Sequence, residues 1–284
     1  MLCWPDINRV SEASQFGKTV PSAEEDKMTQ LTDAVLVDRL DGVMTITINR
    51  PEVRNAVNGA VSFGVCAAID ELDANKQLRV GILTGAGGTF CAGMDLKAFS
   101  QGEAVRVGHR GLMGLAYTPP QKPLIAAIEG YALAGGFEAA LACDLIVAAR
   151  DAQFGLPEAK RGLAALAGGL LRLPRLIPQR IAMELALTGN MASAELLASF
   201  GLINRVTEPG CALERAMELA REITANAPTS ISVSKRIINQ QTDWSLSDMF
   251  SKQEEVAGDI LSSRDALEGA AAFVEKRDPV WSVE

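Results

Sequence analysis

The sequence predicts an α/β protein, with a largely parallel sheet covered on both sides and a helical C-terminal part. Two observations predict it. Short continuous apolar runs at residues 80–84 (VGILT), Leu124–Ile128 and Leu145–Ala149 alternate with helix-length stretches, the pattern of strands buried on both faces. From Pro178 onward the spacing of apolar residues is helical almost without interruption.

The elements follow in order. Residues 31–37 lead into a first strand, Asp41 and Gly42 form a turn signal, and the β-branched run Val43–Ile48 makes the second arm of a hairpin. Pro51 stops it. Residues 58–72 place Val61, Val65, Ala68, Ile69 and Leu72 at helical spacing. Glycine-rich or glycine-containing turns close the runs at 80–84 and 124–128. Helices are expected at residues 178–188, 192–199, 212–226, Pro228–Gln240, 246–261 and 266–275, with a short strand near Val206. No linker rich in Pro, Gly or Ser divides the chain. The expected organisation is a disordered extension over residues 1–30 (or an upstream reading of a start at Met28), an α/β core over 31–210, and a helical region over 211–284 packed on itself or on a neighbouring subunit.

Composition narrows the function. The 284 residues are 48% hydrophobic and 22% charged, enough for a substantial core. A net charge of −8 leaves no basic footprint for nucleic acid. Five widely spaced cysteines without a Cys-x-x-Cys pair read as reduced thiols in a cytoplasmic protein. A single histidine, His109, speaks against a His/Cys metal site, and no Gly-x-Ser-x-Gly elbow supports a serine triad around it. No apolar run reaches membrane-spanning length, and acidic residues 24–26 interrupt any signal-peptide pattern.

Four segments carry chemistry, and they follow strand ends, where α/β proteins place ligands. Residues 88–95 (GTFCAGMD) form a turn whose glycines let backbone N–H groups face outward. Residues 129–138 (EGYALAGGFE) read as a small-residue loop and a helix starting near Gly135, whose N-terminus offers free donors to a developing oxyanion. Glu138 in the first turn fits either a chemical role or simple complementation of the helix dipole. Residues 154–160 (FGLPEAK) place Glu158 after Pro157, which equally fits a plain helix start. Residues 162–169 (GLAALAGG) make an almost uncharged loop, suited to lining something apolar or to a tightly packed turn.

The order of these segments, and the twenty residues from Glu138 to Glu158, resemble the enoyl-CoA hydratase/isomerase (crotonase) superfamily. The resemblance runs from about Val35 to Trp281. It includes INRP at 48–51 with Arg54, Asn55 and Ala56, the AGMD turn at 92–95, the Gly135-Gly136-x-Glu138 run, FGLPE at 154–158, Gly168 and Gly169 followed by Leu171 and Leu173, and FVEKR at 273–277. GGFE, LPEAK and the ending EKRDPVW resemble the branch that contains carnitinyl-CoA dehydratase.

The resemblance implies a crotonase-like spiral of β-β-α repeats with C-terminal helices that build trimers and often hexamers. It implies that Met94 and Gly135 hold the thioester oxygen through their amides, and that Glu138 and Glu158 move protons. Glu138 would activate water and Glu158 would protonate Cα, two tasks that adding water across a conjugated double bond requires. Coenzyme A, carried as part of an acyl-CoA substrate rather than as a cofactor, would lie across Arg54, Ala56 and Val57 and beside Ala92, Asp95 and Leu96. Lys276 would reach a neighbouring subunit's nucleotide. Arg54 also fits a solvated surface position. The implied activity is hydration of a 2-enoyl-CoA to a 3-hydroxyacyl-CoA, with a carnitinyl-CoA dehydratase, a Δ3-Δ2-enoyl-CoA isomerase and a silent acyl-CoA-binding protein as alternatives. The sequence departs from the family at Ala165 and Leu166, where proline and a small residue are usual. Bulky Leu166, Phe137 and Met94 are expected to crowd the reacting group.

Overall fold

The computed structural model describes residues 33–282, so the extension expected over residues 1–30 lies outside the described residues. Strands β1 (Val35–Leu40) and β2 (Val43–Ile48) pair antiparallel around Asp41 and Gly42, both at positive φ (51° and 79°). That is the left-handed pair a two-residue hairpin turn demands. β2 then pairs in parallel with β3 (Val80–Gly85), β3 with β6 (Leu124–Ile128), β6 with β8 (Leu145–Ala149), and β8 with β11 (Arg205–Thr207). The resulting six-stranded sheet has the order β1-β2-β3-β6-β8-β11, each new strand added at the same edge.

The chain does not return directly from one strand of this sheet to the next. After β6 it adds β7 (Tyr131–Leu133) to a small second sheet, then forms α3 (Gly135–Ala142) before β8. After β8 it adds β9 (Gln153–Gly155), parallel to β7, and later β10 (Met191–Ser193), antiparallel to β9. Isolated bridges carry the pattern back one and two turns: Cys91 pairs with Ala132, and Met94 with Val57. Successive turns therefore stack as a spiral, a long strand in one sheet followed by a short one in the other.

Both faces of the large sheet are covered. On one face α1 (Gly59–Ala74) is started by the Asn58 side chain, which accepts from the Val61 amide at 3.1 Å, and buries Val61, Val65, Ile69 and Leu72 against the main core. On the other face α7 (Ala212–Thr224) lays Ala216 and Ala220 against Val43, Val80, Ile82, Ile125, Ala127 and Val147. Small side chains on that helix let it approach the pleat closely. Its N-terminus is held by Glu129, whose carboxylate accepts from the Gly210 and Ala212 amides at 3.0 and 2.8 Å. Among the described residues no helix is long and apolar enough to cross a membrane.

Two sequence expectations change, and one small element is new. Residues 192–199 are not one helix: β10 takes the first two positions, and Ser193 caps α6 (Ala194–Ser199) through the Leu196 amide at 3.2 Å. Residues 246–261 break at Gly258 (φ 52°), leaving α9 (Met249–Ala257) and a 3-10 turn over Ile260–Ser262. Between α2 (Leu96–Ser100) and β6 the chain forms a tiny hairpin, β4 (Arg106–Val107) and β5 (Gly111–Leu112), that no periodicity announces.

Asn55 fastens two of the turns together. It is fully buried at φ 56°, its Oδ1 accepts from the Arg50 amide at 2.9 Å, and its Nδ2 donates to the carbonyls of Ala86 and Thr89. Asn55→Ala strands those groups in the core and keeps the left-handed backbone without its usual tenant. A loss of about 3 kcal/mol is expected, which thermal unfolding would register as a drop of about 6–12 °C. A melting temperature within a degree of the parent would mean the fastening is redundant.

Candidate active site

The site grows out of the second sheet. Val57 donates to the Gly93 carbonyl at 2.8 Å and accepts from the Asp95 amide at 2.9 Å. Alternate groups along an extended segment face opposite ways, so the Met94 N–H between them points away from Val57. It donates to no group among the described residues. Gly93 (φ 97°) makes this possible, because a methyl group there would lie 2.7 Å from the Ala134 Cβ.

The second donor comes from the start of α3. Ala134 gives its amide to the Gly155 carbonyl at 2.9 Å and turns at φ 48°, which exposes the next N–H, that of Gly135. Gly135 likewise has no acceptor among the described residues. The two amides are neighbours: a methyl on Gly93 would sit 3.3 Å from the Gly135 nitrogen, and one on Gly135 would sit 3.8 Å from the Met94 nitrogen. Two free, fixed donors beside a helix N-terminus form a cradle for an oxygen that gains negative charge. Cys91 lies beneath it, fully buried, its sulfur accepting from Gly93 at 3.4 Å, and burial pushes its thiol up to about 12.

Glu138 stands one turn into α3 and is only 3% exposed. Its Oε1 accepts from the Gly169 amide at 2.9 Å, and the Ala167 amide also reaches it. Burial raises its proton affinity, while these amides and the Arg172 guanidinium oppose the rise. Gly169 lets Glu138 come close, since a methyl there would lie 3.0 Å from the Glu138 Cγ and press it aside.

Glu158 approaches from the 3-10 turn Pro157–Arg161. Its Oε2 is buried without a hydrogen-bond partner. Burial, with Glu138 adding to it, pushes this carboxyl up to about 7. A buried acceptor left unpaired calls for an explanation, and a neighbouring carboxyl with several partners makes the contrast sharper. The pair thus holds one carboxyl gripped by amides and a cation, and one poised to keep its proton near neutrality.

The remaining expected residues divide. Ala92 donates to the Arg54 carbonyl at 3.0 Å, so residues 54–57 and 92–96 do form one surface. Arg54 is exposed with its guanidinium 6.0 Å from the Tyr131 ring, and Leu96 is about half exposed. Val57 is fully buried and offers only backbone. The Ala56 carbonyl accepts from Arg50 at 2.6 Å, and Asp95 pairs with Arg50 at 3.1 Å while capping α2 through Lys97 and Ala98, which holds its carboxyl below its usual range. Asp95 therefore fastens the loop. Lys276 is exposed at the C-terminus of α10 (Arg264–Glu275), in the left-handed conformation.

Two expectations about crowding are corrected. Phe137 faces the core, fully buried and edge-on to Phe154 with ring centroids 5.4 Å apart. Leu166 is 69% exposed, its carbonyl accepting from the Tyr117 hydroxyl at 3.1 Å, so it fills no enclosed space within this chain. What sequence reading missed is Arg172 and Leu112, the latter within 2.6 Å of where a Gly135 side chain would begin. Among the described residues no three His, Cys, Asp or Glu side chains converge as metal ligands would.

The family model for enoyl-CoA hydratase/isomerase matches residues 38–284. The chain is 40% identical over 259 residues to the carnitinyl-CoA dehydratase of Salmonella typhimurium strain LT2, covering 88% of this chain and 99% of the relative. Among solved structures it is similar to the enoyl-CoA hydratase from Mycobacterium tuberculosis H37Rv, with 56% identity, a TM-score of 0.87, and 89% of this chain and 100% of that one covered. It is also similar to the carnitinyl-CoA hydratase from Mycobacterium avium, with 43% identity, a TM-score of 0.71, and 89% and 100% covered.

Proposed function

The chain belongs to the enoyl-CoA hydratase/isomerase family, and from that premise we propose that it adds water reversibly to a 2-enoyl-CoA, giving a 3-hydroxyacyl-CoA. The observation that carries this is the unequal pair, Glu138 gripped by two amides and Glu158 buried with a free oxygen. In the hydration direction Glu138 takes a proton from water as its oxygen bonds to Cβ. The Cα=Cβ electrons move to the thioester oxygen, held by the Met94 and Gly135 amides. The enolate then collapses, and Cα takes the proton of Glu158. The pair starts and ends with one proton, which has changed carboxylates, so the same total protonation state serves dehydration.

Coenzyme A enters and leaves as part of the substrate in this reading. Its thioester end lies at the cradle, with Arg54, Ala56, Val57, Ala92, Asp95 and Leu96 along its path. Supporting an assembly of trimers or hexamers, in which Lys276 would serve a neighbour, are large apolar side chains left exposed in the C-terminal helical region: Leu246, Phe250, Leu261, Phe273 and Val274. A cytoplasmic setting agrees with Cys66, Cys91, Cys143 and Cys211 all being free thiols.

A second reading, dehydration of carnitinyl-CoA, is favoured by the named relatives. A trimethylammonium group seeks an aromatic face or a carboxylate. The face of Tyr117, which bonds the loop at Leu166, already carries the Arg106 guanidinium 5.4 Å from its centroid. That arrangement is unwelcoming to a second cation. Purified protein, sized by light scattering against the 30.1 kDa chain, should be given crotonyl-CoA, longer 2-enoyl-CoAs and crotonobetainyl-CoA. Loss of the conjugated thioester absorbance with the simple enoyl-CoAs is expected. Turnover confined to crotonobetainyl-CoA would replace this reading with the second, and silence across the panel would sink both.

A further inference from the structure

Arg172 is the fourth residue of α4 (Gly169–Leu176), close to the end of a helix where a positive charge is electrostatically misplaced. Its surroundings give the reason. The guanidinium donates to the Ala116 carbonyl at 2.7 Å, and its Nη1 occupies the space a side chain on Gly168 would need. Gly168, at φ 106°, thus leaves the slot open. The next residue, Gly169, gives its amide to Glu138. Arg172 therefore braces three pieces at once: the wall that ends at Ala116, the turn at 168–169, and through that turn the carboxylate of Glu138.

We propose, on the basis of the hydration reading, that Arg172 is a positioning residue of the carboxyl pair: packed against the turn at 168–169, whose Gly169 amide grips Glu138, it holds that carboxylate where it accepts the proton of water. A guanidinium suits this because it never gives up its charge, and its planar fork reaches the Ala116 carbonyl while packing against Gly168. Of the other titratable or charged groups, Glu158 is the one coupled to Glu138, while Arg172 also faces the Cys143 thiol at the end of α3, beside which lies the Asp144–Lys235 pair at 2.6 Å. Burial pushes the Cys143 thiol far up, so it stays neutral, and Asp144 and Lys235 offset each other. That leaves Arg172 as the cation acting on Glu138, whose own charge adds to the rise at Glu158.

The sign follows. Without Arg172, Glu138 holds a proton to higher pH, so the acid limb of kcat/KM moves up while the alkaline limb, set by Glu158, stays. Arg172→Met is expected to lower kcat about 30-fold with KM little changed, and to move the acid limb up by about one pH unit. Arg172→Lys, which keeps the charge and loses the fork, should restore the limb but only part of kcat. The carboxyl stretch of Glu138, assigned by its disappearance in Glu138→Gln and followed by infrared titration, should move in the same sense in Arg172→Met. That readout needs no turnover, so failure of the hydration reading would not mask it. If the stretch and the limb both stay in place in Arg172→Met, or if Arg172→Lys matches Arg172→Met in every respect, the proposal is overturned.

Discussion

Glu158→Gln is expected to lower kcat about 10³-fold while thioester affinity stays within about twofold. The amide has the shape of the carboxyl and no proton to give. The site needs one proton across the pair, and Glu158, pushed up to about 7 by burial, holds it at neutral pH. The parent enzyme should therefore lose rate as pH rises through about 7, when that proton leaves. It should also lose rate in acid, when Glu138 takes up a proton and the pair holds two. The profile is a bell. In Glu158→Gln the residual rate should lack the alkaline limb. Binding can be followed with a saturated acyl-CoA, which meets the cradle without reacting. Undiminished turnover in both Glu158→Gln and Glu138→Gln would show that the proton chemistry lies elsewhere.

Gly136→Ala is the second large effect, and it works through backbone. A methyl at Gly136 would land on the Cys91 carbonyl oxygen and within 2.8 Å of the Cys91 Cβ. Gly136 is not at positive φ, so alanine is excluded by the neighbour alone. Either α3 or the extended segment at 91–94 must move, and those two segments carry the Gly135 and Met94 amides. Losing the alignment of one such donor typically lowers kcat by about 10²–10³-fold, and that is the expected range. Gly135→Ala makes the control. Its methyl meets the tip of Leu112, a flexible side chain that can turn aside. The first variant should be at least about tenfold worse than the second. Equal losses would argue that the cradle is not built from these two segments.

Much of this was legible in the sequence, for definite reasons. The strands at 80–85, 124–128 and 145–149 are buried on both faces, so their runs are apolar throughout and leave little ambiguity. β7 and β9 have three residues each, too short for any period to register. Glu138 and Glu158 stood out because their segments occur in a recognisable order. The amides of Met94 and Gly135 were reachable only through that resemblance, since sequence shows a glycine and not where its N–H points. Phe137 misled because adjacent helical residues face about 100° apart: Glu138 looks into the site and Phe137 into the core. Arg172 gave no signal, because its partners are a carbonyl and the absence of a side chain at Gly168.

The cap that Glu129 places on α7 joins residues more than 80 positions apart, and α7 is the cover for one whole face of the sheet. During synthesis β3, β6 and β8 emerge well before that cover exists. From Ala149 to Thr224 the ribosome needs several seconds at about 5–20 residues per second. Throughout that interval Val80, Ile82, Ile125, Ala127 and Val147 face water or whatever escorts the nascent chain. A carboxylate waiting at the end of β6 gives the late helix a landing point as soon as it is free. The yield of folded protein should thus hinge on escort by chaperones, or on slow growth, more than on the final stability of the fold.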